Sequence, residues 1–156
     1  MAKNEAGYSL VEIIIIVLWV GILAAIAVPR LNFTIITRQK ADNITWKVVT
    51  DLRLTRRLAI SDAANNTKGF KLKMVGSVPY TSYEIENVDT HVTVATHTLE
   101  PGVTITCPQG ITFEFGPLGN LEPGSAEEME IHVSGEGRSF TLTILKATGA
   151  VQCVED

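Results

Sequence analysis

Glu12 is the one charge in an apolar run that opens at Tyr8 and continues to Val28. A carboxylate held inside such a run costs about 2.5 to 3.5 kcal/mol on membrane-insertion scales, and it becomes stable only when a cation meets it. Ion pairing is therefore the chemistry this residue offers. The remaining polar side chains form no reactive constellation. His91, His97 and His132 fall in strand-like alternation, with no His-x-x-x-His pair, no Cys-x-x-Cys and no Gly-x-Ser-x-Gly. Each histidine is expected to face solvent rather than to bind a metal or move a proton. Glu127, Glu128 and Glu130 follow a Pro-Gly-Ser turn and read as a solvated edge rather than an acid/base pair. The inventory predicts no enzyme, no cofactor and no metal.

The elements that must carry Glu12 follow from periodicity. Tyr8 to Leu31 as a helix is roughly 35 Å long, enough to cross a hydrocarbon core of about 30 Å. Past it the period stays helical: Ile44, Val48, Leu52 and Ala59 recur on one face, while Arg53, Arg56 and Arg57 project elsewhere. Pro29 lacks the N–H that a helix interior needs and should bend the rod between its membrane and soluble halves, and Gly21 adds a second weak point. Asp62, Asn65, Asn66 and Gly69 cluster as breakers, so the helix is expected to stop between Ser61 and Gly69.

Beyond that point the period changes to two. Residues 70–74, 91–94, 103–105, 111–115, 130–133 and 140–144 alternate apolar and polar, with Gly/Pro punctuation at Pro101-Gly102, Gly116-Pro117-Leu118-Gly119 and Pro123-Gly124. The predicted class is α+β: a long N-terminal helix packed by its C-terminal half on an antiparallel β domain. Length bounds this to one folded domain, 156 residues with a net charge of −4. That charge does not suggest a polyanion binder.

Ala6-Gly7-Tyr8-Ser9-Leu10-Val11-Glu12, followed by the Gly21 to Arg30 segment, resembles the N-terminus of type IV prepilins and of type II secretion pseudopilins. An ordinary signal peptide would carry a basic region before its apolar core and a small-x-small site after it. This leader balances Lys3 with Glu5 and places its glycine before the core. The resemblance implies cleavage after Gly7 by a membrane peptidase that also methylates the new amino terminus on Tyr8. It further implies that Glu12 neutralises the terminal ammonium of a neighbouring subunit during filament assembly. The implied segments are a leader over 1–7, a transmembrane and assembly helix over 8–31, the soluble half of that helix over 32–64 and a β-rich domain over 65–156.

Within that class, residues 51–61, 111–119 and 147–151 look like the helix end, later hairpin and terminal strand of the GspH/FimT group of minor pseudopilins and minor pilins. No acidic calcium loop of the major pseudopilins is evident near the C-terminus. The implied role is a minor subunit of a type II secretion pseudopilus, with a minor pilin of a type IV pilus as the alternative. Implied partners are the prepilin peptidase/methyltransferase, the major pseudopilin or pilin, other minor subunits and inner-membrane lipids. The N-terminus would be cytoplasmic and the β domain periplasmic, and an exported domain permits a Cys107–Cys153 disulfide. DNA is an unfavoured partner: Arg53, Arg56 and Arg57 are the only basic cluster, and the chain ends Val154-Glu155-Asp156.

Overall fold

The computed structural model describes residues 9–27, 33–122, 127–135 and 137–156. The chain divides into two compact units, Met1–Phe33 and Thr34–Asp156. In the first, α1 spans Leu10–Ala27, 18 residues. Its start is set by Ser9, whose carbonyl accepts from the Ile13 N–H at 3.2 Å. At 1.5 Å per residue α1 is about 27 Å long, short of a hydrocarbon core about 30 Å thick. Among the described residues no helix is long and apolar enough to cross a membrane. Tyr8 and residues 28–31, which would complete the expected span, lie outside the described residues, and so does the bend expected at Pro29.

α2 spans Phe33–Ser61 and belongs to the second unit from Thr34 on. Ala41, Ile44, Val48, Val49, Leu52 and Ala59 are buried along it, so the expected stripe is the face that packs. The helix ends where expected. Asn66 accepts from the backbone N–H groups of Lys68 and Gly69 and donates to the Gly69 carbonyl at 2.7 Å, folding the chain back toward the first strand. Gly69 has φ 84°, and a Cβ there would collide with the Phe115 carbonyl, so only glycine fits this corner.

The strands are β1 Phe70–Val75, β2 Ser82–Asn87, β3 Thr93–Thr98, β4 Val103–Thr106, β5 Thr112–Phe115, β6 Glu128–Gly135, β7 Arg138–Leu145 and β8 Val151–Glu155. They form two four-stranded antiparallel sheets, ordered β3-β2-β1-β5 and β4-β6-β7-β8. Leu121 and Glu122 join the sheets. Glu122 N–H donates to Glu114 on the first, and Leu121 N–H donates to Lys146 beside the second, each at 3.0 Å. Leu52 of α2, Leu72, Tyr83 and Phe113 of the first sheet, and Ile131, Leu142 and Ile144 of the second, share one core. The class is α+β with an N-terminal helix on antiparallel sheets, as expected.

Three local expectations change. β2 was not anticipated, although Tyr83 and Ile85 alternate as buried residues with Glu84 and Glu86 outside. The strand expected at 91–94 begins at Thr93, because His91 takes a left-handed φ of 57° in the turn before it. The last strand starts at Val151, after a turn through Gly149 at φ 62°.

The expected disulfide is also absent: Cys107 and Cys153 are both free and half-buried. Cys107 directly follows β4 and Cys153 lies on β8, the opposite edges of one sheet. Three strand spacings separate them by roughly 14 Å, whereas a disulfide needs Cα atoms within about 7 Å. Burial pushes the Cys107 thiol up to about 12, and burial also raises Cys153. Alkylation of the native, non-reduced protein followed by peptide mass mapping is expected to label Cys153 first, Cys107 more slowly, and both fully once the chain is unfolded. Recovery of a Cys107–Cys153 linked peptide would contradict the sheet order.

Candidate assembly surface

Glu12 lies in the first turn of α1, where a carboxylate also complements the partial positive charge of the helix N-terminus. The helix around it is uncovered. Leu10, Ile13, Ile16, Trp19, Leu23 and Ile26 on every side of α1 are more than half exposed. No ion pair among the described residues includes Glu12. Gly7 and Tyr8 lie outside the described residues. Gly21 sits inside α1, and a Cβ there would meet nothing within 4 Å, so packing within the subunit does not demand glycine.

The outward face of α2 exposes apolar side chains of its own. Trp46 is 56% exposed, with Leu54 and Ile60 also open, beside the polar Lys47, Thr50 and Arg57. The three arginines do not act as one free patch. Arg53 Nη2 donates to the Val151 carbonyl at 3.4 Å and Arg56 Nε to the Gly119 carbonyl at 3.0 Å, which fastens the helix end to β8 and to the loop after β5. Arg53 and Arg57 are exposed and Arg56 is half-buried, but of the three only Arg57 has no such backbone bond among the described residues.

A buried polar cluster locks α2 to the first sheet, and sequence reasoning missed it. Asp51 sits on the packed face of α2, its carboxylate accepting from the Tyr83 hydroxyl at 2.6 Å, with His97 Nε2 at 3.4 Å from the same oxygen. The Tyr83 and His97 rings lie 5.2 Å apart at 44°. Burial, and then the bond to Asp51, raise the Tyr83 hydroxyl far above its ordinary value, so it remains a donor at all working pH. Asp51 falls three residues after Val48 and four before Thr55 on the buried stripe, a detectable signal. Its partners were not readable without β2 and the phase of β3.

The other histidines are also partnered rather than free. His91 Nδ1 and Lys71 Nζ each lie 3.0 Å from Glu86 Oε1, and His132 lies 3.0 Å from Thr141 Oγ1 and 3.4 Å from Glu130. Glu127 and Glu128 are exposed, as expected of an edge. Among the described residues no group of His, Cys, Asp or Glu could hold a metal ion. What the site offers is surface: one uncovered apolar helix with a single carboxylate, and one half-open helix face.

Two crystal structures share this fold, both of the type IV minor pilin FimU from Pseudomonas aeruginosa strain PAO1. One, in space group P65, aligns with a TM-score of 0.58 at 15% identity, over 75% of this chain and 91% of FimU. The other, in P21, gives 0.54 at 15% identity over 72% and 90%. No family model and no curated protein matches the chain. The chain therefore has a type IV pilin-like fold.

Two measurements probe the polar contacts. Tyr83→Phe strips the buried Asp51 carboxylate of a charge-assisted bond and is expected to cost about 1.5 to 3 kcal/mol in urea unfolding; a change under about 0.5 kcal/mol would deny the lock. The Glu86 carboxyl is held below the ordinary carboxylate range chiefly by His91, with Lys71 adding to it. Its contribution to stability is thus full above the unfolded carboxylate value and is lost as pH falls through the lower folded one. Glu86→Gln should flatten that acid limb by removing up to about 1 kcal/mol of pH-dependent stability, and an unchanged limb would contradict the pairing.

Proposed function

We propose that this chain is a minor structural subunit of an inner-membrane filament of the type IV pilin class, acting by assembly and not by catalysis. One observation carries the reading: a pilin-like fold is joined to an apolar helix that is uncovered on every side and holds Glu12 as its single charge. An apolar rod with an unpaired carboxylate is stable in lipid only when another molecule brings a cation. Cleavage after Gly7 and methylation on Tyr8 would leave such a cation, the terminal ammonium, four residues from Glu12. Head-to-tail stacking would then pair each terminus with the next subunit's carboxylate.

In this proposal residues 1–7 are the leader, 8–31 span the inner membrane once with the N-terminus cytoplasmic, 32–64 form the soluble half of the helix, and 65–156 form the periplasmic domain. Gly21 and Pro29 are the points where the rod would yield inside a filament. The partners are the prepilin peptidase/methyltransferase, the major subunit, other minor subunits and the surrounding lipid. The open face of α2 around Trp46 is a further surface for neighbouring helices. Duplex DNA is disfavoured, since Arg53 and Arg56 already donate to backbone carbonyls.

The filament we propose is the short pseudopilus of type II secretion, where the subunit supports protein export across the outer membrane. A second reading, a minor pilin of a type IV pilus, draws support from the similarity in fold to FimU. Deleting the gene separates them: lost export with pili intact fits the pseudopilus, and lost pili with export intact fits the pilus. Glu12→Ala is expected to be processed and inserted normally while its recovery in cross-linked filaments falls at least about tenfold, the factor that about 1.4 kcal/mol of lost pairing produces. Undiminished assembly of that variant would overturn the proposed role of Glu12.

A further inference from the structure

A strand at the edge of a sheet presents unpaired N–H and C=O groups, and proteins that stay monomeric blunt such edges with charge, proline, cover or shortness. Three of the four edges here are blunted. β5 is covered by Leu121 and Glu122, β4 is four residues long, and β8 carries Glu155 with Asp156 following. β3 has none of these, and the one irregularity in its pairing, a register shift at Ile85/Glu86, lies before the stretch from Ala95 to Thr98. From His91 to Thr98 the sequence is His-Val-Thr-Val-Ala-Thr-His-Thr, without an acidic or basic carboxylate or amine side chain, proline or glycine, and rich in β-branched residues. Val92 and Val94 are more than half exposed, and Thr96 and Thr98 are exposed beside them.

The ladder shows which backbone groups are free to pair. Leu99 N–H donates to Thr81 at 2.9 Å, and Tyr83 pairs with His97 and Ile85 with Ala95. Antiparallel alternation then turns the N–H and C=O of the intervening Thr96 and Thr98 away from β2. A second β3 strand run antiparallel meets both needs at once. Thr96 of one copy lies against Thr98 of the other about a two-fold axis at His97, whose imidazole is held by Asp51 of its own chain, and the threonine hydroxyls form a favourable cross-strand pair. A charged or proline-bearing strand would match this neutral edge less well.

We propose that β3 is a self-pairing edge through which two copies of this chain join their first sheets into one continuous eight-stranded sheet. The contact does not depend on the filament role. It is small, and interfaces below about 1,200 Å2 are weak, so the dimer is expected to grow across ~10 µM to ~1 mM. The unit Thr34–Asp156 is suited to the test, because the whole buried core lies between Ala41 and Val151 within it.

Sedimentation equilibrium of that fragment should show a reversible dimer, and amide exchange at Thr96 and Thr98 should slow at least about threefold as concentration rises through the transition. Thr96→Pro removes only an outward donor, and Thr96→Lys adds an edge charge. Either should leave a monomer with an unchanged urea midpoint. A wild-type fragment still monomeric at ~1 mM would overturn the proposal. So would a dimer that survives in a folded variant, or Thr96 and Thr98 amides whose exchange ignores concentration.

Discussion

The fold rests on α2 having one face to bury. Ala41, Ile44, Val48, Leu52 and Ala59 carry it against both sheets, and a fully buried Val, Leu or Ile side chain contributes about 1.5 to 3 kcal/mol. Asp51 shares that face, and the hydroxyl of Tyr83 with the imidazole of His97 makes its burial tolerable. Arg53 and Arg56 fasten the helix end to carbonyls at β8 and after β5. The core runs from Ala41 to Val151, and α1 keeps its apolar surface exposed.

That division of labour explains why the two halves of the sequence have such different compositions. α2 alternates apolar and polar positions because one side meets protein and the other does not. α1 is apolar all round apart from Glu12, the composition of a helix whose surroundings are apolar in every direction, as the proposed assembly would provide. Glu12 is the exception in α1, and in the proposed assembly its counter-charge comes from another molecule.

Much of this was legible in the sequence because burial imposes a period. The stripe on α2, the breakers after Ser61 and the alternation in β1, β5, β6 and β7 all mark where one face is covered. Phase and order were not legible. In β3 the valines suggest an inward face, yet Ala95 and His97 turn inward while Val92 and Val94 are exposed, after a register shift at Ile85/Glu86. β2 was hidden by Glu84 and Glu86, residues with poor strand propensity that gain a place opposite Lys73 and Lys71. The cysteine pair failed because strand order is a long-range property: compartment chemistry permits a bond that opposite sheet edges forbid. Gly7, Tyr8 and Pro29 carry the resemblance to prepilins from positions outside the described residues.

The central claim is that α1 is covered by neighbouring pilin-like subunits. A photo-cross-linking amino acid placed at Trp19, on the exposed middle of α1, tests it in living cells with the full chain. The account predicts covalent adducts whose masses and peptides belong to pilin-like subunits, lost together with filament assembly. Adducts with lipid alone, in cells where filaments containing this chain are assembled, would contradict it.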